Sequence, residues 1–266
     1  MKESAMKLIW LTDIHLDHVR NVGHYEKFLD EIRAHAPKVI LIGGDTGEAH
    51  TWRRHVESIS DIAPTYFVLG NHDYYGGTIQ AVEEEATAFN KASWLGGKVG
   101  SVILTEDTAL VGEGGWGDAL AGDAQGSEVE LNDWRLIQDP AWKTKTSRVK
   151  RLKQLGKATA KRLDTNMRAA LTDASQLIVL THVPPWTTAS CHEGQHSDKD
   201  WAPWFVWEQG GRVIEKVASE HPRANILVLC GHTHSAGISI PCPGVTCVTG
   251  KAAYGLPEIQ DPIWVR

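Results

Sequence analysis

The chain has 266 residues and a formal net charge of −6, long enough for one large α/β domain with a substantial core but without an overall basic field. A general nucleic-acid binder and a peripheral membrane protein are therefore disfavoured, and no run of roughly 18 apolar residues marks a membrane helix. The four cysteines form no C-x-x-C pattern, and Met1 to Met6 leads into an apolar run without a signal-peptide core, so the expectation is a soluble, cytoplasmic protein. Free thiols are preferred over a Cys242 to Cys247 disulfide.

Taken in order, Leu8-Ile9-Trp10-Leu11 reads as a strand that stops in Thr12-Asp13-Ile14-His15. Tyr25, Phe28, Leu29 and Ile32 then recur at helical spacing within Asn21 to Ala36, and Pro37 ends that helix. Val39 to Ile42 forms a second strand running into Gly43-Gly44-Asp45. A helix over His50 to Asp61 precedes a third strand, Tyr66 to Leu69, which runs into Gly70-Asn71-His72-Asp73. This succession of βαβ units implies parallel strands. An amphipathic helix is expected over Thr78 to Lys91, and short strands at Val99 to Leu104 and Thr108 to Gly112 begin a second sheet.

From Thr144 to Asp173 the chain reads as a long helix with Leu152, Leu155, Leu163 and Met167 on one side and many Lys and Arg on the others. Its basic run is either a solvated face, the preferred reading, or a positive surface that steers an anionic substrate. Leu177 to Leu180 leads into Thr181-His182, and Ile226 to Cys230 into Gly231-His232-Thr233-His234. Between them lies a Trp-rich insertion around residues 186–210, with Pro203 in the first turn of a helix expected to run to about Ser219. Two strands, at Ile238 to Ile240 and Val245 to Val248, complete the reading as one α/β domain over 1–266.

Five apolar runs thus end in metal-ligand residue types, and in open α/β sheets the carboxyl strand ends are where ligands bind. Asp13 and His15 are two apart, as are His232 and His234, so each pair can be aimed at one ion. A set mixing imidazoles with carboxylates suits Mn, Fe, Zn, Co or Ni better than Mg or Ca, which prefer oxygen alone.

The order Asp13-x-His15, Gly-Asp45, Gly-Asn71-His72-Asp73, His182, Gly-His232-x-His234 resembles the calcineurin-like metallophosphoesterase superfamily. The resemblance implies a four-layer αββα sandwich and two divalent or trivalent transition metal ions. Asp13, His15 and His234 would hold one ion, Asn71, His182 and His232 the other, and Asp45 would bridge them. It implies hydrolysis of a small phosphoester, nucleotides among the candidates, by a metal-bridging hydroxide, with His72 as acid or charge stabiliser and Asp73 orienting that imidazole. Purple acid phosphatases carry a metal-binding Tyr three residues after the bridging Asp; Glu48 stands here, against a tyrosinate-ligated ferric ion.

For the substrate, Trp186 and Trp204 are candidate apolar contacts, with Trp201 and Trp207 in the same insertion; all four could instead pack a small core of their own. Arg20, with His18 and Asn21, is a candidate phosphate contact, or part of a solvated turn. Cys191, His192 and His196 are read as a surface loop rather than a third metal site, and His24, His35, His50, His55 and His221 as exposed. A phosphodiesterase is preferred over a phosphomonoesterase, because His72 could protonate an alkoxide leaving group and the Trp-rich insertion offers apolar surface for a second ester substituent, whereas a dianion would call for more Arg or Lys near the motifs than Arg20 and Lys251. A non-catalytic metal-dependent binding protein and a nuclease using the basic helix are the other readings.

Overall fold

A computed structural model describes residues 5–97 and 99–266. The first half builds one sheet from Met6–Leu11 (β1), Val39–Gly43 (β2), Thr65–Val68 (β3) and Ser93–Trp94 (β4), linked by helices Val22–Ala34 (α1), Trp52–Ser60 (α2) and Ile79–Ala88 (α3). Val102–Ile103 (β5) and Thr108–Glu113 (β6) open the second sheet. Then come Asp133–Leu136 (α4), Lys145–Ala170 (α5), Gln176–Thr181 (β7), the hairpin Cys191–His192 (β8) and Gln195–His196 (β9), Ala202–Phe205 (α6) and Glu208–Glu220 (α7). Asn225–Cys230 (β10), Gly237–Cys242 (β11) and Val245–Thr249 (β12) extend the second sheet, and Ile263–Val265 (β13) returns to the first.

The sheet orders are β13-β1-β2-β3-β4 and β11-β12-β10-β7-β6-β5. β1, β2, β3 and β4 run parallel, as do β6, β7, β10 and β12, while β13, β5 and β11 are antiparallel edges. Alternation along each strand splits the apolar residues between two faces. Ile9, Leu11, Ile40 and Ile42 face α1 to α3, while Leu8, Trp10, Val39 and Leu41 meet Leu110, Ile178, Leu180 and Leu229 of the other sheet. Leu177, Val179, Ile226 and Val228 turn to the opposite side, beneath Leu163 and Met167 of α5 and Ile214 of α7. Three apolar layers between four structural layers make the αββα sandwich, and the central strands β1, β2, β6 and β7 are largely apolar because both their faces are buried.

The sequence reading departs from the structure in one helix and at His55. The helix expected through Trp201 to Ser219 is broken: Val206 is extended (φ −127°), so α6 stops at Phe205 and α7 starts afresh after Trp207. The break turns the Trp207 ring into the second core, where its Nε1 donates to the Gly156 carbonyl at 3.0 Å. His55, expected to be exposed, is buried on α2, with Nδ1 3.2 Å from the Tyr25 hydroxyl. Asn21, read as a candidate phosphate contact or part of a solvated turn, is the N-cap of α1, its side chain accepting from Gly23 N.

Candidate metal centre

The carboxyl ends of β1, β2, β3, β7 and β10 meet at one edge of the sandwich, and backbone hydrogen bonds tie them together. Asp13 N donates to Gly44 O at 3.1 Å, and His182 N to Gly114 O at 3.0 Å. His232 N donates to both carboxylate oxygens of Asp13, at 2.9 and 3.0 Å, which joins the end of the second sheet to the first. Asp13, His15, Asp45, His232 and His234 all have positive φ, between 40° and 70°. Among the described residues only three other non-glycine residues do, Ala36, Ala119 and Glu193, so left-handed backbone concentrates at this edge. Such strain persists only where the surroundings enforce it, and it marks the strand ends as built for a purpose.

Two glycines make the close approach possible. A Cβ on Gly70 would strike the Asp45 carboxylate and the His182 ring, and one on Gly231 would strike Asp13 and Thr12. Any side chain there would displace a candidate ligand.

The ligand atoms fall into two groups, Asp13, His15, Asp45 and His234, and Asp45, His182 and His232, each with its atoms within 4.8 Å of one another. In the first, His15 Nε2 lies 3.2 Å from His234 Nε2, and His234 Nε2 lies 3.4 Å from Asp13 Oδ1. In the second, His182 Nε2 lies 3.1 Å from His232 Nδ1 and 3.1 Å from Asn71 Oδ1. Asp45 directs Oδ2 to His15 (3.8 Å) and Oδ1 to His182 (3.5 Å), one oxygen to each group. Donor atoms each about 2.0–2.2 Å from a common cation stand at these separations from one another.

The chemistry of the donors fits as well. The Gly43 carbonyl, 3.0 Å from His182 Nδ1, can only accept, so Nδ1 carries the proton and Nε2 offers its lone pair to the group. Burial pushes the pKa values of His15, His182 and His232 down, favouring the neutral form that binds a cation. Burial, then the carboxylates of Asp13 and Asp73, push Asp45 up. For Asp13 burial acts upward but is outweighed by His182 and His234, and the net shift is down. Converging buried carboxylates and lone pairs are a donor set that a pair of cations would offset.

Of the other candidates, His72 lies at the mouth of this edge. Its ring stacks on Tyr75 (centroids 4.2 Å apart, planes at 30°), and its Nε2 is 3.4 Å from the Tyr254 hydroxyl. Burial holds its pKa down, at about 3. Asp73 does not orient it. The Asp73 carboxylate is buried under the loops and accepts from the backbone N–H groups of Asp45, Thr46, Gly47 and Gly70.

A cavity of about 770 Å³ opens over the centre, lined by Asp45, Asn71, His72, His232 and His234 together with Tyr75, Trp201, Phe205 and Tyr254. The hairpin of β8 and β9 overhangs it with His192 and His196; His192 Nδ1 lies 3.2 Å from Thr233 O. None of its described lining residues is Lys or Arg. Arg20 is exposed outside it. Trp186 also lies elsewhere, its Nε1 donating to Glu215 at 2.7 Å on α7. Trp204 is buried in the first core and donates to Ser127 Oγ at 2.9 Å. In their place Trp201, 46 % exposed, and Phe205 form the wall, one turn apart on the short helix that the sequence reading had merged with α7. Two residues carried no sequence signal: Tyr254, brought over His15 by the tail (ring centroids 4.5 Å apart), and Asp133, hydrogen-bonded to Asn71.

An αββα sandwich gathers Asp, Asn and His side chains from both sheets into two cation-sized groups, the layout of a candidate two-ion centre. The sequence profile of calcineurin-like phosphoesterases matches residues 6–236, and the chain belongs to that family. An uncharacterised metallophosphoesterase of Campylobacter jejuni is 26 % identical over 83 residues, a match spanning 29 % of this chain and only 22 % of that relative's length. Among solved structures, a dimetal phosphatase from Danio rerio superposes with a TM-score of 0.55 at 13 % identity, over 92 % of this chain and 86 % of its own. TT1561 of Thermus thermophilus does so with a TM-score of 0.51 at 17 % identity, over 93 % and 90 %. A putative 5'-nucleotidase from Staphylococcus aureus gives a TM-score of 0.52 at 10 % identity, over 98 % of this chain and 54 % of that one. At such identities these structures attest the fold. Among the described residues, no helix is long and apolar enough to cross a membrane.

Proposed function

We propose that the protein is a phosphodiesterase, with Asp13, His15 and His234 holding one transition metal ion, Asn71, His182 and His232 a second, and Asp45 shared between them. The observation that carries the diester preference is the cavity wall: Trp201, Phe205, Tyr75 and Tyr254 stand over the ligand groups, with no Lys or Arg among the described lining residues. A monoester dianion calls for cationic side chains around its terminal oxygens. A diester carries one charge and a second substituent that apolar, aromatic surface can cover, and a nucleobase stacking on Trp201 is one such substituent. The acidic lining (Asp133, Glu193, Asp198) further disfavours a dianion.

Held by these groups, two ions would supply Lewis-acid polarisation of the phosphoryl oxygens and an activated water. The chain's own part is positional. Asp45 fixes the spacing of the two groups, and the Tyr75 ring holds His72 facing the cavity. Because burial keeps His72 neutral, its role is a hydrogen-bond donor to the phosphoryl or leaving oxygen rather than a standing imidazolium. The Tyr254 hydroxyl, beside His72 Nε2, is a second donor. The four free cysteines fit a reducing compartment, in keeping with a cytoplasmic enzyme.

The test is the initial rate on bis(p-nitrophenyl) phosphate against p-nitrophenyl phosphate with Mn2+ supplied, with Asp45→Ala as the blank. Faster diester turnover, lost in the variant, is expected, and cyclic and linear nucleotides would follow as substrates. Faster monoester turnover would reassign the protein as a phosphatase. Negligible rates on both from fully metallated protein would contradict a general hydrolase and favour a binding role.

A further inference from the structure

Asn71 differs in kind from its companions. An imidazole whose other nitrogen is tied down, or a carboxylate, presents a lone pair from a defined atom, but a carboxamide has one accepting end and one donating end of nearly the same shape. If the amide turns over, an NH2 group faces the cation.

In the structure Asn71 Oδ1 faces His182 Nε2 at 3.1 Å, and Nδ2 points away, donating to Asp133 Oδ1 at 2.9 Å. The same Asp133 oxygen accepts from the Tyr75 hydroxyl at 2.6 Å, and Nδ2 lies 3.2 Å from that hydroxyl. Asp133 Oδ1 accepts from both the amide and the hydroxyl, so turning the amide over would set the Asn71 oxygen against an oxygen that already serves as an acceptor, and this partner fits one orientation of the amide. Asp133 comes from a distant segment that is stitched to the turn beyond Asn71 by Gly76 N to Leu136 O (2.9 Å), Gln138 N to Gly77 O (2.9 Å) and Gln138 Nε2 to Gly76 O (2.8 Å). Asp133 is outside both groups of residues near enough to share an ion.

We propose that Asp133 is a positioning residue for the second metal site: it locks the Asn71 carboxamide with its oxygen toward His182 and His232, and through the Tyr75 hydroxyl it also steadies the ring on which His72 stacks. This rests on the reading of Asn71, His182 and His232 as ligands. Partners of this kind behind a metal ligand typically change affinity about 10- to 100-fold when removed.

The test is metal content by mass spectrometry and Mn2+ electron paramagnetic resonance on wild type, Asp133→Ala, Tyr75→Phe and the double variant Asp133→Ala/Asn71→Asp, with folding checked by circular dichroism. Wild type is expected to hold two spin-coupled ions, and Asp133→Ala one firmly, with the second bound about 10- to 100-fold more weakly. Tyr75→Phe, which keeps the Asp133 to Asn71 bond, should hold both. The double variant should recover the coupled pair, because either end of an aspartate accepts; general damage from losing Asp133 would not be repaired in this way. Should Asp133→Ala fail to fold, Asp133→Asn, which keeps size and an acceptor oxygen, is expected to give a smaller loss at the same site. Two ions at wild-type affinity in the Asp133 variant that folds, or a double variant still at one ion, would overturn the inference. A wild type that binds no pair of ions would overturn the ligand reading instead.

Discussion

Asp73 and His72 are neighbours in one motif, yet their side chains go to opposite sides of the turn, and only His72 reaches the cavity. With four backbone N–H donors converging on it, the Asp73 carboxylate organises the loops that carry Asp45 and Asn71. Asp73→Ala leaves those buried donors without their acceptor, and we expect a loss of roughly 3–5 kcal/mol in urea unfolding of the Mn2+-loaded protein. Unchanged stability with lost activity would return Asp73 to the catalytic role that adjacency suggested. His55 offers a second residue-scale check. Burial, then Arg54, lower its pKa from 6.5 to about 4, so the folded state binds fewer protons than the unfolded one between those values. Its contribution is therefore full above pH 6.5 and lost as pH falls towards 4. His55→Phe should flatten the fall in stability over that window by on the order of 1–2 kcal/mol relative to wild type. An identical pH profile for the two would mean that the ring is not sequestered.

The short α6 shows how an element decides which aromatic residues can meet a substrate. Trp201 and Phe205 at its ends face the cavity, Trp204 between them faces the core, and Trp207 after the break fills the second core. Composition marked the insertion as unusual but could not separate these fates, since all four tryptophans there are equally apolar and the separation depends on where the helix stops. Trp201→Ala is expected to reduce kcat/KM for an aryl or nucleotide diester about tenfold while leaving urea stability nearly unchanged. Trp204→Ala should instead cost roughly 3–5 kcal/mol of stability, as large aromatic truncations in a core do. The reverse pattern would contradict the assignment of the cavity wall. The strand elements were far more legible. β1, β2, β3, β7 and β10 are apolar on both faces and end abruptly in polar residues, so both the strand and the place where it stops are written in the composition. Asp133 and Tyr254 were not legible, because Asp133 opens the four-residue helix α4 and Tyr254 lies in the irregular tail, segments whose paths are set by tertiary contacts.

At the scale of the molecule, the sandwich places every candidate ligand at one edge while α5 lies on the outer face of the second sheet. Several of its basic side chains are already paired: Arg162 grips Glu113 at 2.7 and 2.9 Å, Arg151 meets Asp139 at 2.9 Å, and Arg148 stacks on Trp134 while bonding Glu130. With a net charge of −6 and no described Lys or Arg in the cavity, raising ionic strength should leave kcat/KM for a small anionic diester level or slightly higher. A steep fall with salt would favour the nuclease reading and a polyanion groove on α5. The centre itself is tested most directly by the metal content and Mn2+ spin coupling of wild type beside Asp45→Ala. Two coupled ions per chain in wild type, and loss of the coupling in the variant, are expected from a carboxylate that gives one oxygen to each group. A single uncoupled ion in wild type, or a coupled pair that survives without Asp45, would contradict the two-ion centre on which the rest depends.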